Sequence, residues 1–177
     1  MILPLYRRLL GAEFDALPAK VRELHDVQGQ VTWSGRAEVQ RGTSLLARII
    51  GTIAGLPPSS PGLPLEVVFT PDATGEHWRR TFGRHVFQTH QRLGNGVILE
   101  RIGPSTAALK PKVGPAGLSL TVAGLSVLGV PVPRSLLAEM TTLEHEVDGR
   151  YAFEVEAHLP LIGLLVRYKG WLERVAA

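Results

Sequence analysis

From Val27 the apolar positions recur at every second residue. Val31, Trp33, Ala37 and Val39 alternate with Thr32, Ser34, Arg36, Glu38 and Gln40. This predicts a half-buried strand over 27–40, with Gly35 as a bulge or a point of close approach. Before it the period is helical. Leu3, Tyr6, Leu9 and Leu10 closed by Gly11, then Phe14, Leu17, Val21 and Leu24, predict two short helices within 3–24. A third helix is predicted over 44–54, with Leu46, Ile49, Ile50 and Ile53 on its apolar side, Thr43 as its cap and Gly55 as its end. The stretch LPPSSPGLP after it reads as a turn-rich loop.

Beyond Leu65 the pattern is strand after strand: 65–70, 76–82, 84–92, 97–102, 106–113, 117–127, 143–148, 151–158 and 161–172. The turns between them are TPDATG, RLGNG, VGPAG and DGR, and Asn95–Gly96 and Asp148–Gly149 read as hairpins. Short connections make consecutive strands antiparallel neighbours, and so many strands curl or close. The expected fold class is α+β. It is a strongly curved antiparallel sheet or closed barrel of roughly eight to ten strands, with two short N-terminal helices and one helix after the first strand. A single domain over 1–177 is expected. A barrel of about eight strands encloses side chains or one small ligand.

Composition narrows the classes. There is no cysteine, so disulfides and thiolate chemistry are excluded. The net charge is +3, and outside Arg79, Arg80 and Arg84 the basic residues are scattered, which points to a solvated surface and away from a nucleic-acid groove. The most apolar stretches, 117–132 and 159–166, are too short or too broken by Gly and Pro for the ~18–20 residues of a membrane span. In MILPLYRRLLG the arginines follow the apolar residues, unlike a secretory signal. The expectation is a soluble cytoplasmic protein.

The chemistry-bearing residues form no familiar motif. Neither a G-x-G-x-x-G nor a G-x-x-x-x-G-K-[ST] loop is present, and no cofactor is expected. The six histidines include no H-E-x-x-H pair, and His85 and His90 lie an odd number of residues apart on one strand, so no metal site is expected. In GEHWRRTFGRH, Glu76, Trp78, Arg80 and Phe82 share one face. The two rings should turn that face inward, carrying Glu76 and Arg80, while His77, Arg79 and Thr81 meet solvent. In VILERI both faces are mixed, and Arg101 is taken as an inward group needing a carboxylate or an anionic ligand. Around Asp148–Gly149 two readings stand. Glu144, Glu146, Glu154 and Glu156 form a solvated acidic face opposite Leu143, His145, Val147, Tyr151, Phe153 and Val155, or they line the interior with perturbed pKa values.

These readings converge on a site set of Trp33, Arg36, Glu76, Trp78, Arg80, Arg101 and Tyr168, the rings forming an apolar wall and the arginines an anion contact. The leading function is a barrel that binds a small apolar or amphipathic, even anionic, molecule. An acid–base enzyme of isomerase or lyase type using Glu76, His77, Glu100 or Glu144 is the second reading. An interaction module with 117–132 as its contact is the third.

LYRRLLGAEFDALPAKVRELH, GRAEVQRG, GEHWRRTFG, ILERIGP and GRYAFEVEAHLPLIGLLVRYKGWL, in that order and spacing, give the chain a further likeness. It resembles the bacterial family catalogued as domain of unknown function 4166 from Leu5 to Leu172. That resemblance implies one compact domain with an accessory or small-molecule role. It also implies an oxidoreductase partner, since some relatives carry the domain behind a nucleotide-binding oxidoreductase-like domain. It implies no catalytic residues.

Overall fold

In the computed structural model, residues 3–137 and 139–176 are described; positions 1, 2, 138 and 177, including Ala138 of the loop VPVPRSLLAEM, lie outside them. Three short helical pieces open the chain: α1 (Leu5–Leu10), a 3-10 turn (Gly11–Ala16) and α2 (Ala19–His25). Strand β1 (Val31–Arg41) follows, then α3 (Leu45–Ile53). Next come β2 (Ser60–Pro71), β3 (Gly75–Phe82), β4 (His85–Leu93), β5 (Ile98–Ile102) and β6 (Ser105–Gly114). The chain ends with β7 (Gly117–Val127), the two-residue β8 (Val130–Pro131), β9 (Glu139–Val147), β10 (Arg150–Leu159) and β11 (Gly163–Arg174).

Ten of these strands form a closed antiparallel barrel. The order is β6-β5-β4-β3-β2-β1-β11-β10-β9-β7, β6 also pairs with β7, and β8 lies only against β7. Closure leaves the ring without a free edge. Inward residues make the core: Trp33, Ala37 and Val39 on β1, Val67 and Phe69 on β2, Tyr151 and Phe153 on β10.

The helices stop the two ends. Tyr6, Phe14, Val21, Leu24 and His25 of the N-terminal pieces are buried in one mouth. At the other, the α3 segment contributes Ile50, Ala54 and Leu56 to the interior, and His85 Nε2 lies 2.7 Å from the Gly55 carbonyl oxygen. The cap of α3 is Ser44, whose Oγ accepts from Ala47 N at 3.2 Å, one residue after the expected Thr43. Its apolar stripe is also turned. Leu45, Leu46, Ile49 and Ile53 are exposed, while the small Ala47 and Gly51 are buried. A Cβ on Gly51 would strike the Arg41 guanidinium, and a Cβ on Gly42 would meet Ala47. Close seating of the helix thus selects its small face and leaves Leu46, Ile49 and Ile53 of the expected stripe outside, while Ile50 turns to the interior.

Four strand boundaries differ from the pattern. β1 starts at Val31 instead of 27. LPPSSPGLP is no loop beyond Ser59; β2 already runs there. Its β3 partner begins only at Leu65 opposite Phe82, so Ser60–Pro64 pairs with β1 alone and behaves as an edge, where proline is tolerated. β9 starts at Glu139 instead of 143, because it extends past the expected loop onto β10. β11 starts at Gly163; Leu161 sits at φ 64 in the preceding turn, fully exposed.

The β9–β10 hairpin decides between the two readings of its glutamates. Asp148 and Gly149 both have positive φ, and Val147 pairs with Arg150, the geometry of a two-residue primed turn. That register sets Glu144 opposite Phe153 and Glu146 opposite Tyr151. Facing residues share a side of the sheet, so Glu144 enters with Phe153 and Leu143 turns outward. Glu146, on the same face as Glu144, stays exposed and accepts from Lys20 N at 2.9 Å; Glu154 is also exposed, and Glu156 is held outside by Arg167 and His158.

Candidate functional site

A cavity of about 260 Å³ occupies the barrel between the N-terminal plug and α3. Its α3 end is apolar, with Ile50, Leu56, Phe87, Ile102, Leu125 and Leu165. Leu165 reaches it through a bulge in β11, since Ala157 pairs with Val166 and His158 with Leu164. The plug end is polar. Arg80, Gln91, Glu100, Thr142 and Glu144 face the space there, with Tyr151 and Tyr168 beside them.

The polar floor is knitted to the plug. Glu76 accepts from Leu5 N at 3.1 Å and from Trp78 Nε1 at 3.2 Å. Tyr6 Oη donates to Gln91 Oε1 at 3.0 Å, and Gln91 Nε2 donates to Glu100 Oε1 at 3.2 Å. His25 Nε2 lies 2.5 Å from Glu144 Oε2, with the His25 ring stacked on Tyr6 at 3.7 Å between centroids. His25 Nδ1 is buried with no partner among the described residues. Arg80 donates from Nη1 to Thr89 Oγ1 at 2.9 Å and places Nη2 3.6 Å from Glu100 Oε1, its guanidinium over the Trp78 ring.

Burial sets the protonation preferences. It raises the pKa of Glu76, against the lowering pull of His25, the Leu5 N–H and Trp78. It also pushes the Tyr6 and Tyr151 phenols well above their ordinary range, with nearby carboxylates, Glu144 foremost, adding to the effect. Tyr168 is pushed up to about 12, again chiefly by burial.

The residues singled out in the sequence divide into two groups. Trp78, Arg80 and Tyr168 face the cavity, and Glu76 lies buried beneath its floor. Trp33 is buried against Tyr151, in the core next to the cavity. Arg36 and Arg101 are exposed on the outer face. Arg36 follows the alternation that sends Trp33 and Ala37 inward. On β5 the inward residues are Ile98, Glu100 and Ile102, because Glu100 finds Gln91 and Arg80 inside. The anion contact built on Arg36 and Arg101 is therefore absent from the interior.

Sequence reasoning missed His25, Tyr6 and Gln91 as site residues, whereas Glu100 and Glu144, named for the acid–base reading, do face the cavity. Of the two readings left open for Glu144, the hairpin register selects the inward one. Of the interaction segment, Leu118 and Leu120 are packed inside, while Leu128 and Val130 are exposed at its end. Among the described residues no helix is long and apolar enough to cross a membrane.

Residues 17–172 match a family model whose description reads Domain of unknown function (DUF4166). No curated protein matches the chain.

Proposed function

The chain belongs to the DUF4166 family, whose description assigns no activity, and from the barrel interior we propose that it binds a small, mostly apolar molecule bearing a hydrogen-bond donor or cationic end. The carrying observation is the polarity of the cavity. An apolar end beneath α3 faces a floor lined by two carboxylates, Glu100 and Glu144, and one guanidinium, Arg80, with Glu76 and His25 bound behind it. Arg80 is already engaged by Glu100 and Thr89, so a ligand carboxylate would meet excess acceptor. A hydroxyl or ammonium would find carboxylate oxygens at the floor. The volume, about 260 Å³, lies just under the ~300–1,000 Å³ of drug-sized sites, which favours a compact occupant.

Titration calorimetry of the purified chain with octylamine, octanol and octanoate tests this reading. Octylamine and octanol should bind at least about tenfold more tightly than octanoate, and Ala157→Phe, which fills the cavity from β10, should abolish binding while the fold persists by circular dichroism. Preference for octanoate would overturn the assigned polarity. No uptake of any of the three would sink the binding reading.

A second reading keeps acid–base chemistry in the same space. It is favoured by one contact, Glu144 with His25 at 2.5 Å at the edge of the cavity. Any natural ligand released from the protein on denaturation should then be chemically altered on incubation with the wild type and remain unaltered with Glu144→Gln.

A further inference from the structure

On the outside of the barrel, away from the cavity, three potential ligand side chains converge. His77 and His90 are paired across β3 and β4, both on the outward face, with ring centroids 4.3 Å apart. Asp72 lies in the turn between β2 and β3. Its Oδ2 is 3.0 Å from His77 Nε2 and 3.1 Å from His90 Nε2. The other oxygen, Oδ1, accepts from Thr74 N, Thr74 Oγ1 and Gly75 N at 2.6, 2.7 and 2.8 Å. The turn thus fixes the carboxylate with one oxygen spent on the backbone and the other aimed at the imidazoles.

We propose that Asp72, His77 and His90 form a surface site for a divalent transition-metal ion, taken up by two imidazole nitrogens and one carboxylate oxygen. The donor atoms lie within 4.8 Å of one another. Around a tetrahedral ion with bonds of ~2.0–2.1 Å, donors sit roughly 3.3 Å apart, so the two histidine–aspartate distances already lie within a few tenths of an ångström of that spacing. Small rotations of two side chains, His77 more than half exposed and His90 partly so, complete the triangle. Imidazole and carboxylate together suit zinc, nickel and copper better than magnesium or calcium. The exposed setting leaves the remaining coordination positions to water. Bound there, the ion ties the β2–β3 turn to β4, and it does so independently of any ligand in the barrel.

The test uses the full chain stripped with a chelator and titrated calorimetrically with zinc chloride alone. One ion per chain is expected, with a rise in the thermal midpoint. Affinity should fall at least about tenfold in His77→Ala and in His90→Ala. His145→Ala, on another part of the surface, should bind as the wild type does. Both site histidines face outward, so circular dichroism should show the variants folded. Absence of saturable uptake, or uptake that survives both substitutions, would overturn the site.

Discussion

Glu76 is one side chain with two assignments: it ties the N-terminal plug to β3 through Leu5 N and Trp78 Nε1, and it makes stability depend on pH. Because burial raises its folded pKa, the native chain holds a proton that the unfolded chain releases earlier. The stabilisation is therefore complete below the ordinary glutamate range and declines as the pH rises through the raised pKa. Glu76→Gln, which imitates the protonated form, removes that slope. The stability advantage of wild type over the variant, from urea midpoints between about pH 4 and 8, should shrink as pH rises; parallel profiles would show that Glu76 is not the group concerned. The inward course of Glu76 was legible because Trp78 and Phe82 decide the face of their strand. Arg101 was not. Val97 and Leu99 on its side balance Ile98 and Ile102 on the other, and what breaks the tie, Gln91 and Arg80 awaiting Glu100, belongs to other strands.

Pairing arithmetic governs the elements. A two-residue turn at Asp148–Gly149 makes every facing pair in β9 and β10 share a side, so Phe153 inside requires Glu144 inside. Alternation within each strand gave both faces; the turn length, also in the sequence, chose between them. The same arithmetic brings His77 to His90 across the β3–β4 turn, which spacing within a single strand cannot reveal. Gly35 shows what pairing demands of a residue type. It sits between Leu172 of β11 and Leu65 of β2, and a Cβ there would collide with the Trp171 carbonyl. Gly35→Ala should cost about 1–3 kcal/mol by chemical denaturation, more than a typical strand substitution of its kind. A neutral result would mean that the two strands can part without cost. The α3 stripe was misread for a related reason. A 3.6-residue period identifies an apolar face, but close seating on β1 and β11 went to the smaller one.

For the whole molecule, strand count and short connections were enough to anticipate a strongly curved or closed antiparallel sheet, with closure itself left to the β6–β7 pairing, and the alternation of β3 and β10 supplied part of the lining. The asymmetry of the interior was beyond reach, since Tyr6, His25, Gln91, Glu100 and Glu144 come from five separate elements. Their hydrogen bonds make the plug part of the barrel's polar network. Heating or urea should thus release plug and barrel together. Tryptophan fluorescence, from Trp33 and Trp78 inside and Trp171 on the strand opposite Arg36, should change in one transition coincident with far-UV circular dichroism. Two separated transitions would show that the plug detaches first.

The ring is joined by its first and last strands: Trp33 pairs with Arg174 and Arg41 with Val166. Every other seam except the β7–β9 contact links strands that are neighbours in sequence, apart from the two-residue β8. During synthesis on a ribosome, hairpins from β2 onward can form as they emerge, but β1 has no partner on its β11 side until the chain has been made through Arg174. The seam between earliest and latest strand carries the largest loop-closure cost in the molecule. Until it forms, the nascent sheet keeps two open edges, and this is the stage at which pairing with another chain competes with folding.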